Sequence, residues 1–453
     1  MRYQTNLLMK YEKSIKQIRK DLNADSLIKL VKNTFTDIPD CRKNNASIPL
    51  IDALMSGFAI FSLKEKSLLD FTKNQEKHGD NLRSIYGIES NITDTHLREM
   101  LDPINPESIR PAFKKVFNKL QRAKVLEGFT FLDDYFLLSL DGSGYFSSQK
   151  VHCEHCMEKK SRDGKITYHH QILGAAIVHP DKREVIPLFP ELIQKQDGNT
   201  KNDCERNAAK RFLEKFRKDH PKLKVIIIED GLSSNAPHIK ELKAHHCRFI
   251  LGAKPDDHTF LFNQVAALNT LGKATELQID EGDITHKFLF YNDLPLNESN
   301  QDVRINFLEY WEINRKTNKT QHFTYVTDFN ITSENAYFLM RGGRARWKIE
   351  NETFNTLKNQ GYHFEHNYGH GYQHLSNTFA SLMMLAFLVD QSLQITCSLF
   401  KAAMKKCGTR TNFWSRVRSS FFELAFDSMN KIYEAIYYGT KKPTVEILYP
   451  NST

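Results

Sequence analysis

Apolar positions recur along this chain with two different periods, and the change of period divides it. Up to about residue 128 the period is helical. In residues 112–120, Phe113, Val116, Phe117 and Leu120 fall on one side and lysines on the other, the spacing of an amphipathic helix. Residues 106–111 precede it as a helix start, with Pro111 tolerated in the first turn. From about residue 129 the pattern becomes strand-like. An apolar run over 135–140 ends at Asp141-Gly142, and two more follow at 171–178 and 184–188, with a Pro-Asp-Lys turn between them. These read as consecutive antiparallel strands. Residues 202–218 then read as a helix with Ala208, Phe212 and Phe216 on one stripe. The β-branched run 225–228 has the composition of a buried central strand, and it ends at Glu229-Asp230. A helix over 237–245 and a strand over 247–252 complete the alternation. Between about 256 and 330 helical periodicity is lost. Alternating stretches at 286–291, 307–313 and 322–327, joined by Asn- and Asp-rich turns, read as a β-rich insertion. Helices return from about 333 and continue past Gly371.

Length and composition bound this picture. With 453 residues the chain exceeds one ordinary core, so two to four structural units are expected. The expected units are a helical region over 1–128 and an α/β domain whose parts, 129–255 and 331–395, flank the insertion at 256–330. A basic helical region over 396–453 follows. A hydrophobic content of 40% excludes a disordered chain. Seven scattered cysteines do not form a disulfide framework. No apolar signal segment follows Met1, and the greasy stretch 381–389, bounded by Asp390, is too short to span a bilayer. The expected setting is a reducing cytoplasm, without a membrane partner.

Charge adds a partner. The net charge of +9 is concentrated. Arg110, Lys114, Lys115, Lys119, Arg122 and Lys124 form one run without an acid. Lys401, Lys405, Lys406, Arg410, Arg416 and Arg418 form another, with Phe413 and Trp414 interleaved. Each alone could be a solvated helix face; two together favour a polyanion held through its phosphates. Lys114, Lys115 and Lys119 are the DNA-facing candidates of the first run.

Three acids supply candidate chemistry. Asp141 and Asp230 stand at strand ends before glycines, and Glu350 lies in Arg346-Trp347-Lys348-Ile349-Glu350. At 100° per residue Arg346, Glu350 and Phe354 share a helical stripe, with Lys358 one turn further. Singly, each has a plain reading, a turn aspartate or a surface ion pair. Together they suggest a two-metal phosphoryl-transfer site, in which hard oxygen ligands select Mg2+, two ions per site, with Mn2+ able to substitute.

Residues 129–395, with three antiparallel strands followed by alternating helix and strand in an RNase H-like order, resemble the DDE transposases of bacterial insertion sequences. The resemblance is to the group with a Tyr–Arg–Glu–Lys signature around its third acid. It implies an α/β RNase H-like catalytic domain, a mixed sheet flanked by helices, with a β-rich insertion and helical N- and C-terminal regions. It makes Asp141, Asp230 and Glu350 the catalytic and metal-binding triad, and it gives Arg346 the role of the signature arginine. The signature tyrosine position, seven before the glutamate, is Gly343 here, and the lysine position seven after it is Leu357, with Lys358 one place later. Trp347 matches the arginine's usual neighbour and reads equally as core. In relatives that pass through a hairpin, an aromatic of the insertion stacks on a flipped base; Phe323 and Trp311 are the candidates here. The implied partners are double-stranded DNA, as element ends and target, and a second copy of the chain on that DNA. The alternatives are a catalytically silent or domesticated DNA-binding protein and an RNase H-like nuclease.

Two smaller motifs complete the reading. Cys153 and Cys156, with His169 and His170, could supply four zinc ligands, although a lone Cys-x-x-Cys more often marks reduced thiols on a loop. Asp203-Cys204-Glu205 precedes a helix as its cap, and that helix start could also receive a phosphate.

Overall fold

The computed structural model describes residues 19–40, 42, 47–195 and 204–439. Its centre is one sheet. In chain order the strands are β1 (Phe136–Ser148), β2 (Met157–Lys160), β3 (Ile166–Val178), β4 (Ile186–Pro187), β5 (Glu191–Ile193), β6 (Val225–Glu229), β7 (Arg248–Gly252), β8 (Thr275–Glu281), β9 (Ile284–Pro295), β10 (Arg304–Asn314) and β11 (Lys319–Thr327). They lie in the order β2-β3-β1-β6-β7-β11-β10-β9-β8, with β4 and β5 paired to β3. β1, β2 and β3 are antiparallel, and β6 and β7 add parallel to β1 through crossover helices Glu205–Asp219 and Ala236–Ala244. This is the expected α/β RNase H-like arrangement. β6 is buried at every position, as its β-branched run requires.

Several boundaries differ from the sequence reading. β1 does not end at Asp141 but continues seven residues to Ser148, because β3 pairs with it well beyond the point where β6 departs. The second antiparallel strand, β2, is charged and exposed and carries no apolar signal. The run at 184–188 yields only the two-residue β4. The insertion begins with a helix, Thr259–Thr270, whose weak amphipathicity hid it. Its four strands do not form a separate unit, because β11 pairs antiparallel with β7 and extends the central sheet.

The apolar stretch around 381–389 belongs to a 22-residue helix, Leu375–Thr396, that runs through Asp390 rather than stopping there. It is long and apolar enough to cross a membrane by length and composition, and 89% of its most apolar window is buried inside the fold. Helices Leu50–Ser62 and Arg110–Arg122 pack on it, as does the C-terminal helix Ser398–Lys406. The described segments of 1–128 and of 396–453 therefore share one helical layer. Buried apolar side chains from Leu22 to Ile436 form a single cluster in place of several separate cores. Within this layer the Lys64 ammonium is fully buried and paired with Asp390. It also lies 3.5 Å from the Trp414 ring centre.

Candidate functional site

The site grows from the ends of the parallel strands. β1 and β6 are in register from Phe136↔Val225 to Ser139↔Ile228. Asp141 and Asp230, each two residues beyond that last pair, leave neighbouring strands at the same level. The crevice outside the carboxyl ends of parallel strands is where α/β sheets place ligands. Asp230 turns the chain there, since its Oδ1 accepts the Leu232 N–H at 3.0 Å and caps the short helix Gly231–Ser233.

Small residues beside Asp141 make room for two other side chains. Gly174 pairs with it on β3, and a Cβ at Gly174 would stand 2.6 Å from the Phe354 ring. Strand alternation turns Gly142 to the opposite face, where a Cβ would meet the Glu205 carboxylate at 2.0 Å. Gly142 thus makes room for Glu205 and is not a strand terminator. Burial, then the charge of Glu350, raise the Asp141 pKa to about 7, with Arg346 pulling it down and Glu205 adding to the rise. The Glu205 carboxyl is likewise raised by burial and by facing Asp230 and Glu229. Glu205 is a fourth acid at the site that the sequence reading placed only in a helix cap. Cys204 is the residue at that cap, without a side-chain capping bond, and Asp203 lies outside the described residues.

Glu350 is carried on a π-helix, Ile349–Phe354, not on a regular α-helical stripe. Wider i→i+5 turns of this kind are frequent at functional sites. The Ser139 hydroxyl donates to the Arg346 carbonyl at 3.2 Å and ties the helix entry to β1. Arg346 Nη1 lies 2.6 Å from Glu350 Oε1 and 3.9 Å from Asp141 Oδ2. Its guanidinium also covers the ring of Trp347, which is 48% exposed rather than core. Lys358 pairs with Glu365 at 2.8 Å.

Gly343 faces a tyrosine of the insertion. A Cβ at Gly343 would stand 2.4 Å from the ring of Tyr325, on β11. Burial raises the Tyr325 hydroxyl pKa, while the charges of Arg344 and Arg346 act in the opposite direction. Its contact with Gly343 was invisible in sequence because Tyr325 comes from a strand paired to β7.

The other candidates are engaged in the fold. Phe323 stacks on Tyr310, with ring centres 6.1 Å apart, and the Arg344 guanidinium lies 4.9 Å from its centre. Trp311 stacks on its cross-strand neighbour His322 and, by alternation, lies on the other face of the hairpin. In helix Arg110–Arg122 the apolar face is buried as expected. Lys114 pairs with Asp219 and Lys115 with Asp37, while Lys119 is half-buried. The run is therefore acid-free in sequence but not in space. Phe413 and Trp414 are core residues, not aromatics interleaved with exposed cations. Lys401, Lys405 and Arg410 do line an open groove with Lys182 and Arg183, whose wall also includes Asp181 and Glu184. That groove borders the Glu350 helix, since Lys348 donates to the Lys182 carbonyl at 2.6 Å.

The donors around the crevice are carboxylate oxygens, which suit a hard divalent cation. Arg346 occupies the gap between Asp141 and Glu350, so it must withdraw before both can face one ion. A mixed sheet of RNase H-like order, with acids gathered at its parallel-strand ends, has the architecture of a DNA phosphoryl-transfer enzyme. Residues 152–388, more than half of the chain, match the transposase DDE domain family, and the chain belongs to that family. The matched span holds Asp230 and Glu350 and begins eleven residues after Asp141, on the strand that pairs with β3. A search of curated proteins finds no match.

Proposed function

We propose that this transposase binds the terminal inverted repeats of its own insertion sequence, cuts the element free and joins its 3′ ends to target DNA. Asp141, Asp230 and Glu350 act as the metal-binding acids. The observation that carries this reading is the level placement of Asp141 and Asp230 at adjacent parallel strands, with Glu350 joined to Asp141 through Arg346. Two Mg2+ ions, replaceable by Mn2+, would activate the attacking oxygen and stabilise the leaving one. The protein's part is to place the strands. Arg346 grips the scissile phosphate once released from Glu350, and Tyr325 takes the place of the signature tyrosine beside it. The i→i+5 turn absorbs one extra residue, so Lys358, at position +8 from Glu350, returns toward the meridian that +7 would hold in an α-helix. The groove of Lys182, Arg183, Lys401, Lys405 and Arg410 offers a path for flanking DNA, and the 1–128 region offers a second contact. Phe323 serves base stacking only after Arg344 lifts from its ring. Joining two ends requires two active sites, so a homodimer assembles on DNA.

The test is strand cleavage and joining on DNA carrying the element's ends, with Mg2+. Asp141→Asn, Asp230→Asn and Glu350→Gln should each bind the ends as wild type does. Each should lose at least about 10²-fold in cleavage, the scale for removing one preorganised charged group. Variants that cut like wild type overturn the triad. Cutting without joining would make the protein a nuclease, and tight specific binding without cutting would make it a silent DNA-binding protein.

A further inference from the structure

The far end of β1 and β3 holds a second constellation with different chemistry. Cys153 and Cys156, on the β1–β2 connection, meet His170 of β3 and His370 of the segment leading into helix Leu375–Thr396. The four ligand atoms all lie within 4.8 Å of one another. Cys153 Sγ is 4.0 Å from Cys156 Sγ and 3.6 Å from His170 Nε2. Cys156 Sγ is 3.4 Å from His170 Nε2 and 3.2 Å from His370 Nε2, and the two Nε2 atoms are 3.2 Å apart. A tetrahedron with metal–sulfur bonds of about 2.3 Å and metal–nitrogen bonds of about 2.05 Å has edges of about 3.8 Å between sulfurs, about 3.6 Å between sulfur and nitrogen and about 3.3 Å between nitrogens. Five of the six edges lie within about 0.4 Å of those values, and the sixth, Cys153 Sγ to His370 Nε2, is within 4.8 Å.

The surroundings orient both imidazoles, although His170 Nδ1 is buried without a hydrogen-bond partner. His370 Nδ1 lies 3.0 Å from the Gly371 carbonyl, which fixes that nitrogen as the donor and leaves the Nε2 lone pair directed at the cluster. The His170 ring is held by stacking on Tyr145, at 16° between planes. Strand alternation explains why His169 is not a member, since it faces the opposite side of β3 from His170. His152 and His155 are turned away, onto Tyr168 and His374.

We propose that Cys153, Cys156, His170 and His370 bind one structural Zn2+, chemically separate from the carboxylate site. Binding converts two thiols to thiolates, releases two protons and leaves two neutral imidazoles, so the completed site carries no net charge and suits its buried position. All four positions are filled by protein, the mark of a structural rather than a catalytic zinc. Its mechanical role follows from the chain path. Glu350 and His370 are twenty positions apart in the chain, and Phe354, in the same π-helix as Glu350, packs on Gly174, four residues along β3 from His170. The metal thus pins the far end of the segment that carries Glu350 to the strand that backs Asp141.

The experiment is metal analysis of the full chain purified from zinc-replete medium without chelator, followed by exchange into Co2+. Wild type should carry one zinc per chain, and the cobalt form should show the intense visible bands of a tetrahedral thiolate site. Cys156→Ser and His370→Ala should lose the metal. His169→Ala should keep it, and His370→Cys should keep it with a spectrum shifted by the third thiolate. If either loss variant fails to fold, zinc release from wild type on titration with a mercurial reports the site without a substitution. Wild type with no zinc and no tetrahedral cobalt spectrum overturns the proposal, as does loss of zinc in His169→Ala alone. DNA cleavage is not the readout, so failure of the transposase reading would leave this result interpretable.

Discussion

Arg346 stands between Glu350 and Asp141, 2.6 Å from one carboxylate and 3.9 Å from the other, so a protein cation holds together two acids that would otherwise repel. Replacing it separates two roles. Arg346→Ala should let the crevice take Mg2+ at lower concentration, because a competing cation is gone, yet cut DNA about 10²–10³-fold more slowly for want of a phosphate grip. Lysine cannot restore the planar fork and should rescue poorly. Mg2+ titrations of thermal stability and of cleavage, run in parallel, check both. An unchanged Mg2+ dependence in the alanine variant would show that Arg346 does not guard the acids.

The raised Asp141 pKa sets a pH dependence. With a folded value of about 7 against an ordinary 3.8, the native state keeps a proton that the unfolded chain has released. Stability from this group is complete below about pH 4, falls as pH rises and is lost above about pH 7. Metal-free Asp141→Asn should therefore melt higher than wild type at pH 8, by about 2 °C or more, and the gain should vanish near pH 4. A metal ion must displace the same proton, so Mg2+-dependent cleavage should climb through pH 7. Calorimetry at both pH values and a pH–rate profile test the two halves.

Tyr325 and Gly343 form a pair in which one residue's ring occupies the other's side-chain space. Tyr325→Phe should fold like wild type but cleave about tenfold more slowly if its hydroxyl binds the DNA phosphate, the scale of one hydrogen bond to a charged group. Gly343→Ala should destabilise the protein by driving a methyl into that ring. A Tyr325→Phe variant with full cleavage would leave the tyrosine as filler alone.

The Lys64–Asp390 pair joins the Leu50–Ser62 helix end to helix Leu375–Thr396 with Lys64 wholly buried. Burial draws the Lys64 pKa down to about 8 against the pull of Asp390. Removing one partner leaves the other charge buried, so Asp390→Ala should lose about 3–5 kcal/mol in urea unfolding. The apolar double replacement Lys64→Met with Asp390→Leu should recover most of it.

Local periodicity made much of the sheet's core legible in the sequence. The strands at β6 and β7, the helix after Cys204 and the alternation of 286–327 follow from residue spacing alone. What failed were features decided by distant partners. Asp141 looked like a strand end because β6 leaves there, but β3 stays. Glu350 looked α-helical because no composition signal distinguishes a π-turn. Two paired cysteines announced themselves, while His370 stands 200 residues from His170 and could not be matched to them without the fold. The lysines of 110–124 looked unopposed because Asp37 and Asp219 lie elsewhere in the chain.

The junction between the insertion and the rest of the sheet is narrow. In the ladder, Tyr325↔Gly252, Val326↔Leu251 and Thr327↔Ile250 pair across it, extended by hydrogen bonds between Thr324 and Ala253, and four strands lie beyond that seam. β8, the outermost, lies about 19 Å away, four strand spacings of about 4.8 Å. A twist of about 5° at the seam would swing that edge by about 1.7 Å over this arm. The seam includes Tyr325, whose ring rests on Gly343 near Arg344 and Arg346. A load taken up by the outer hairpin is thus delivered, through a short lever, to the residues that hold Glu350.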